Sequence, residues 1–295
     1  MSTTLQLQAP AKLNLFLRVL AREADGYHGL ETLFCLISLA DELRATRTDA
    51  PRVTLEATGA DCGPPEQNLV VKAATLVLES LGQPFGVHFT LTKRIPPKGG
   101  LGGGSSDAAA ALTLVNALAG DRVPRHELLQ FASRLGSDIP FFMSGGPLAL
   151  AWGHGERMLR LPPLPAAPAL LLLPPFGIST PEAYRMVDSA WAGAGKRGAV
   201  ALDLEALASW GSVGRLAGND FEFALFGGHP ELKRAFEALA ATRPLVCRMT
   251  GSGSTLFAVY RTARDRDDAR MTLSPKLGQA IAVETLASPL PPPAP

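Results

Sequence analysis

The chain has 295 residues, of which 46% are hydrophobic and 19% charged, and this composition predicts a globular protein, not a disordered one. The formal net charge is only +1, which leaves no basic field for binding nucleic acid or an anionic membrane surface. The longest apolar run, "ALLLLPPF" at 169–176, is too short and too rich in proline to span a bilayer.

The cysteines indicate a reducing compartment. Cys35, Cys62 and Cys247 are odd in number and too far apart for a disulfide framework or a zinc site, and the five histidines form no ligand-spaced pair. The N-terminus lacks a basic segment followed by a continuous apolar run, which argues against a signal peptide. We therefore expect a cytoplasmic protein without a structural metal, and a monomer and a homodimer are both left open.

The first half of the chain predicts strands mixed with helices. Alternating apolar residues indicate a strand over 5–20 with a bend at Pro10. The other predicted strands are 28–43, 52–57 and 86–94. Helical spacing and helix-start residues predict helices at 67–81, 105–120 and 125–136. A hairpin is expected over 147–161, with its turn at Gly153–Gly155.

A proline-rich stretch at 162–169 marks a predicted domain boundary. It separates an N-terminal domain, 1–161, from a C-terminal domain, 162–288, and the tail 289–295 is expected to be disordered. The elements predicted after the boundary are a strand at 170–176, helices at 180–191, 202–210 and 230–239, two strands joined by a glycine turn over 245–260, a helix at 264–273 and a strand at 280–287. Because strands and helices mix throughout, α+β is the expected class.

The densest glycine cluster joins a predicted strand to a predicted helix. Residues 99–104 include five glycines, although glycine is destabilising inside regular elements by roughly 0.5–1 kcal/mol relative to alanine. Strand, glycine loop and helix N-terminus form an arrangement that binds phosphate, because backbone N–H groups can approach an anion closely. On this interpretation a side chain at Gly103 should obstruct the phosphate more than it harms folding.

The glycine loop matches neither of two common nucleotide-binding loops. The spacing G-x-x-x-x-G-K-[ST] of a Walker loop and the spacing G-x-G-x-x-G of a dinucleotide site are both absent, and "GAGKRG" at 193–198 reads as an ordinary loop. A plain loop with Ser105 or Ser106 capping the helix, and Asp107 in its first turn, would explain the serines and the aspartate. It would not explain five glycines, so phosphate binding is favoured while the reaction stays open.

Four stretches, in the same order along the chain as in the family, carry a family resemblance. "PPKGGLGGGSSDAA" (96–109) resembles the phosphate-binding motif of the GHMP kinases, and "MTGSGSTLFAVY" (249–260) resembles their C-terminal motif. "PAKLNLFLRVLAREADGYHGLETLF" (10–34) and "LGSDIPFFMSGGPLALAWGHGE" (135–156) are similar to one branch, whose acceptor is a methylerythritol linked to cytidine diphosphate, in the non-mevalonate route to isoprenoid precursors. The resemblance implies two α+β domains, an active site in the cleft between them, and ATP as phosphate donor.

By this resemblance Asp138 accepts the proton of the acceptor hydroxyl, and Lys12 orients that hydroxyl and balances charge on the transferring group. From the residues alone, the favoured interpretations are that Asp138 is a turn residue before Pro140 and Lys12 a solvated strand lysine, and only the resemblance reverses this order. Asn14 lies two residues after Lys12 and therefore on the same face of the predicted strand. Two polar groups on one face suit either a cleft wall or a solvated surface.

The resemblance also implies the residues that bind the two nucleotides. Those assigned to ATP are Asn68, Lys93, Pro97, Gly99, Gly100, Leu101, Gly102, Gly103, Gly104, Ser105 and Ser106. Those assigned to the acceptor, besides Asn14, are Tyr27, His28, Thr180 and Tyr184, with the two tyrosines stacking on cytosine. Taken by itself, Asn68 reads as a helix cap and Tyr184 as a half-buried core aromatic.

The loop departs from the family pattern at one place, because Pro97 and Lys98 stand where small residues are usual. Magnesium is expected to be held mainly by the ATP phosphates and water, since only Asp138 and Asp107 offer carboxylates nearby. The alternatives are a sister kinase for homoserine or mevalonate, which would have no use for "DGYH" or Tyr184, and a non-catalytic nucleotide-binding protein of the same fold, which would not need Lys12 and Asp138.

Overall fold

The computed structural model describes residues 3–22, 28–191, 202–288 and 291–294. Its strands are β1 (Thr4–Arg22), β2 (His28–Thr48), β3 (Val53–Gly59), β4 (Gly86–Lys93), β5 (Leu148–Gly153), β6 (Arg157–Arg160), β7 (Pro168–Leu173), β8 (Val246–Met249), β9 (Leu256–Val259) and β10 (Gln279–Glu284). Its α-helices are α1 (Leu69–Ser80), α2 (Gly103–Leu118), α3 (Arg125–Leu135), α4 (Ile139–Phe142), α5 (Thr180–Trp191), α6 (Trp210–Leu216), α7 (Asp220–Gly228), α8 (Pro230–Ala240) and α9 (Ala263–Thr272).

The N-terminal sheet is built around β2, whose length lets it pair with three strands. β1 runs antiparallel along most of it, while β5 pairs with its first half and β4 with its second half. The outer strands are β6 beside β5 and β3, which is parallel to β4. Helices α1 to α4 pack on this sheet around an apolar core that includes Phe89, Phe141 and a row of alanines in α2.

The C-terminal sheet has four strands in the order β10–β7–β9–β8, all antiparallel. A second apolar core, with Leu13, Phe16 and Phe257 among its members, fills the space between the two sheets. A third core packs α5, α7 and α8 against the C-terminal sheet. The chain passes from one sheet to the other between Arg160 and Pro168.

Most predicted elements are present, and the exceptions have local causes. The helix expected over 202–210 is only a 3₁₀ turn, Glu205–Leu207, because Ser209 caps a separate helix, α6. The short helices α4, α6 and α7 were not predicted, since four to nine residues are too few to show helical periodicity. The helix expected from 105 begins two residues earlier, at Gly103.

The described part of the tail, residues 291–294, differs from the disorder expected for 289–295. Ala294 exchanges two backbone hydrogen bonds with Gln6, with N···O distances of 2.8 and 3.1 Å. The free edge of β1 supplies the partners, and an extended proline-rich segment needs few hydrogen bonds of its own. Among the described helices, none is long and apolar enough to cross a membrane.

Candidate active site

Lys12 is presented by an irregularity in β1. Proline cannot donate to a strand ladder, and the register of β1 against β2 shifts between Pro10 and Lys12. The Lys12 N–H donates to Leu101 O at 2.9 Å, which fastens the strand to the glycine loop. The side chain is 4% exposed, and its Nζ lies 2.7 Å from Asn14 Oδ1 and 3.5 Å from Asp138 Oδ2.

Asp138 stands immediately before α4 and does not cap it with its side chain. Its carboxylate is 30% exposed, so it meets both Lys12 and the solvent of the cleft. The ion pair places an acceptor of protons beside a buried cation, which is the combination that phosphoryl transfer to a hydroxyl requires.

The glycine loop separates two clefts. One, of about 410 Å³, is lined by the loop, by the start of α1 and by the end of β4. The other, of about 310 Å³, contains Lys12 and Asp138. Gly100, Gly102 and Ser105 line both clefts, so a group bound along this wall can be reached from the two sides.

The first cleft offers backbone donors. Gly102 precedes α2 with a φ of +73°, and among the described residues no side chain caps the helix, so the first-turn N–H groups of Gly103, Gly104 and Ser105 have no acceptor one turn back. Asn68 caps α1 by accepting from the Val70 N–H at 2.9 Å. The cleft therefore joins two helix N-termini, where a helix dipole favours anions.

The glycines of the loop serve different purposes. A Cβ on Gly100 would lie 2.2 Å from Thr250 O, and one on Gly103 would lie 2.9 Å from Ile95 Cγ2, so both residues are glycine because protein atoms press on them. The packing at Gly103 therefore argues against the expectation that a side chain there would obstruct phosphate more than it harms folding, although Gly103 itself lines the cleft. A Cβ on Gly104 would meet nothing closer than Leu69 Cδ1 at 4.0 Å, which makes Gly104 the place where the backbone is open to a ligand.

Lys93 holds the floor of this cleft in a buried ion cluster. Its Nζ binds the Asp107 carboxylate at 2.7 Å and also Asp41, whose Oδ1 accepts the N–H groups of Arg94 and Ile95. Burial would lower the Lys93 pKa, but the charge and hydrogen bonds of Asp107 and Asp41 raise it overall. Burial also raises the pKa of Asp107. The Lys93 ammonium is thus bound to carboxylates. Of the predicted contact with the nucleotide, the structure shows only that Lys93 lines the first cleft.

Aromatic rings line the far side of the second cleft. Tyr184 on α5 stacks on His28 with ring centroids 5.5 Å apart and meets Phe221 edge-on at 5.0 Å. His28 Nε2 lies 2.9 Å from Asp188 Oδ1. Burial, with a smaller contribution from Asp138, raises the pKa of Tyr184 to about 12, so its phenol stays neutral. Tyr27 lies outside the described residues.

Asn14 faces protein partners on every side. Its Oδ1 accepts from Lys12 Nζ and, at 2.9 Å, from the Gly251 N–H, while its Nδ2 donates to Thr32 Oγ1 at 2.8 Å. The predicted substrate residue therefore orients Lys12 and holds the loop that follows β8. Thr180 contacts the same loop, because its Oγ1 lies 3.0 Å from Ser252 Oγ.

The structure brings together the predicted residues with few exceptions. Ser106 is buried and lines a groove between α2 and β1 instead of the first cleft, and the buried His28 contacts Tyr184 without lining the second cleft. Several residues of the site and its surroundings were not predicted, among them Asp41, His154, Asn219 and Phe221. Asp41 had a usable signal, a charge inside an apolar strand, whereas the others lie in loops or at a helix start that periodicity does not reveal.

A more voluminous cavity, about 980 Å³, lies between α8 and α9 around Tyr260. It contains neither the glycine loop nor the Lys12–Asp138 pair. We place the site by its converging polar groups, because volume alone does not identify chemistry.

Comparison with known families agrees with this geometry. Residues 68–146 match the GHMP kinases N-terminal domain, and residues 203–275 match the GHMP kinases C-terminal domain. The first match contains the glycine loop and Asp138, while Lys12 precedes it.

Comparison with individual proteins is more specific. The chain is 40% identical over 269 residues to 4-diphosphocytidyl-2-C-methyl-D-erythritol kinase of Solibacter usitatus, covering 88% of this chain and 83% of the other. It is 36% identical over 286 residues to the kinase of the same name from Paraburkholderia phytofirmans, covering 96% and 94%. A crystal structure of 4-(cytidine 5′-diphospho)-2C-methyl-D-erythritol kinase matches with a TM-score of 0.79 at 37% identity, over 95% of this chain and 98% of the other. Homoserine kinase from Cytophaga hutchinsonii shares the fold, with a TM-score of 0.72 at 18% identity over 99% and 96% of the two chains.

Proposed function

This chain belongs to the GHMP kinases, among the 4-diphosphocytidyl-2-C-methyl-D-erythritol kinases, and we propose that it transfers the γ-phosphoryl group of ATP to the 2-hydroxyl of 4-diphosphocytidyl-2-C-methyl-D-erythritol. The reaction would supply an intermediate of non-mevalonate isoprenoid synthesis. The observation that carries the proposal is the pair of clefts that share the wall of Gly100, Gly102 and Ser105, with Lys12 and Asp138 on one side of it.

The donor side is the cleft at the N-termini of α1 and α2. The free first-turn N–H groups and the open Cβ direction at Gly104 suit the phosphates of ATP. Asn68 and the lining from Pro97 to Leu101 would surround the rest of the nucleotide. The cleft has the size of a small-ligand site. Its lining combines the main chain of the glycine loop with charged side chains, among them Lys93 and Lys98.

The acceptor side supplies the chemistry. Asp138 takes the proton of the attacking hydroxyl, and the Lys12 ammonium, fixed by Asn14, orients that hydroxyl and stabilises charge on the phosphoryl oxygens. Tyr184, with Tyr27 as its proposed partner, would hold the cytosine ring, and His28 would read its edge. Thr180 and Ser252 lie between these groups and the loop wall.

The protein offers no cage for magnesium in the part of the chain that the structure describes, where no group of three or more acidic, histidine or cysteine side chains could hold a metal. Asp107 is bound to Lys93 instead. Mg²⁺ would therefore be held by ATP phosphates and water, and no step is assigned to a protein-bound ion. The thiols of Cys35, Cys62 and Cys247 are all unpaired, which supports a reducing compartment such as the cytoplasm.

Sister kinases for homoserine or mevalonate are the competing proposal, because they share the fold. The stacked His28–Tyr184 pair favours a base-carrying acceptor over a small hydroxy acid or amino acid. ATP consumption with 4-diphosphocytidyl-2-C-methyl-D-erythritol, homoserine and mevalonate as separate acceptors tests the choice. We expect turnover with the first alone, and turnover with either of the others but not the first would overturn the proposal.

A further inference from the structure

The loop that follows β8 is held between two buried asparagines. Asn14, on β1, accepts the Gly251 N–H at 2.9 Å from one side. Asn219, just before α7, donates from Nδ2 to Met249 O at 2.7 Å and to Gly251 O at 2.9 Å from the other. Both side chains are at most 5% exposed. We call the two residues the asparagine clamp.

The Asn219 side chain is itself rigidly placed. Its Oδ1 accepts the Phe221 N–H at 3.0 Å and so caps α7. The flanking residues are tied to β1, because Gly218 O accepts the Leu17 N–H at 2.8 Å and Asp220 Oδ2 accepts the Val19 N–H at 2.7 Å. The two Nδ2 protons are therefore aimed at fixed acceptors in the 249–251 segment.

The clamp leads by consecutive contacts to the proposed catalytic pair. Asn219 fixes the Gly251 carbonyl, the Gly251 N–H bonds to Asn14 Oδ1, and the same oxygen accepts from Lys12 Nζ at 2.7 Å. Gly251 and Gly100 also pack backbone on backbone, since a Cβ on Gly251 would lie 3.0 Å from Gly100 Cα. A shift of Gly251 would thus move both Asn14 and the wall between the two clefts.

We propose that Asn219 is a positioning residue for phosphoryl transfer, acting through Gly251 and Asn14 on Lys12. The inference rests on the proposed kinase function. Asn219 touches neither proposed substrate cleft, so its removal should leave binding of ATP and acceptor largely intact while it disturbs the geometry of transfer. A misplacement of about 1 Å at a reacting group can lower turnover by roughly 100-fold.

Two substitutions separate this role from helix capping. Asn219→Asp and Asn219→Ser both keep an oxygen that can cap α7, and both remove the Nδ2 donor. We expect kcat to fall by roughly 100-fold, with the KM values for ATP and acceptor and the affinity for a non-hydrolysable ATP analogue close to wild type. Ser209→Ala is the matched control, because Ser209 caps α6 by accepting the Ser212 N–H outside the site, and it should lower Tm without lowering kcat.

Amide hydrogen exchange over 249–252 gives a readout that does not depend on activity. The variants should exchange faster in this segment and unchanged in α7. Loss of protection without any kinase activity in the wild type would mean that the clamp exists but the proposed function is wrong. A kcat per folded molecule close to wild type, or failure of both variants to fold, would overturn the positioning role and leave Asn219 as a structural residue.

Discussion

The two clefts beside the glycine loop differ in what lines their polar surfaces. The donor cleft presents main-chain N–H groups of α2 and the cap residue of α1, and of the two lysines in its lining Lys93 is bound to two aspartates. The acceptor cleft presents side chains, among them Lys12, Asp138 and Tyr184. Backbone N–H groups are sufficient to bind the phosphates of a nucleotide, whereas proton transfer and base recognition need particular side chains.

The difference predicts that substitutions divide by cleft. Changes on the acceptor side should affect turnover or acceptor binding and leave ATP alone, while changes on the donor side should affect ATP and leave the acceptor alone. Substitutions in each cleft can test this division, beginning with the greatest expected loss.

Removal of the proposed catalytic pair should have the largest effect. Asp138→Asn and Lys12→Ala should each lower kcat by roughly 10²–10⁴, because a positioned base or a charge stabiliser is lost. Affinity for an ATP analogue, measured by calorimetry, should change little, since both residues line the other cleft. Near-wild-type turnover of either variant would remove that residue from the mechanism.

Lys12 needs a stability control, because its Nζ is hydrogen-bonded in a buried site. Lys12→Met keeps most of the packing volume and discards the charge. If Lys12→Met and Lys12→Ala lose turnover to the same extent but differ in Tm, the loss belongs to the ammonium and not to the core.

Two glycines of one loop should respond in opposite ways. Gly104→Ala places a methyl group in the open donor cleft, so the KM for ATP should rise by roughly 10- to 150-fold through loss of one charge-assisted hydrogen bond, with Tm nearly unchanged. Gly100 has a φ of +73°, and a Cβ there would clash with Thr250 O. Gly100→Ala should therefore lower the free energy of unfolding by at least about 1–3 kcal/mol. Steady-state kinetics and thermal unfolding of both variants decide the matter, and a collapse of Tm in Gly104→Ala would contradict the assignment of the open position.

The glycines also show where sequence reasoning stops. The run itself predicted a phosphate loop, because few other uses require five glycines in six residues. Which glycine faces the ligand depends on Thr250 and Ile95, whose contacts with the loop form only in the folded chain and were not visible in the pattern. The sequence therefore could not show that a side chain at Gly103 would meet Ile95.

Local sequence signals predicted most of the helices and strands. The pairing of Lys12 with Asp138 was predicted from the family motifs. The roles of other site residues depend on partners that are distant in sequence. Asn14 was expected to contact substrate because it shares a strand face with Lys12, and only the fold brings the Gly251 N–H to it. Lys93 was expected to face nucleotide, and the aspartates that bind it lie 52 and 14 residues away in sequence. Such pairings depend on the register of β2 with β4 and on the packing of α2, which local propensity does not encode.

Substitution of Tyr184 in the acceptor cleft should affect binding of the acceptor and not binding of ATP. Base stacking contributes about 1–3 kcal/mol, so Tyr184→Ala should weaken binding of cytidine diphosphate by roughly 5- to 150-fold and leave the ATP analogue unaffected. Tyr184→Phe retains the ring and should bind nearly as well as the wild type. Calorimetry with both ligands is the measurement. Equal losses for the two would indicate a folding defect, and a loss for the ATP analogue alone would mean that the clefts are exchanged.

Asn68 offers the smallest and most selective test of the donor side. Its Oδ1 caps α1, while the Nδ2 group has no hydrogen-bond partner among the residues that the structure describes and lies at the cleft. Asn68→Ser keeps a capping oxygen and removes only the amide donor, so Tm should hold while the KM for ATP rises about 2- to 12-fold, the value of one hydrogen bond. Asn68→Ala loses the cap as well and should be less stable by about 1 kcal/mol. If the serine variant binds ATP as well as the wild type, Asn68 acts only as a helix cap, and the donor cleft recognises its nucleotide through backbone groups alone.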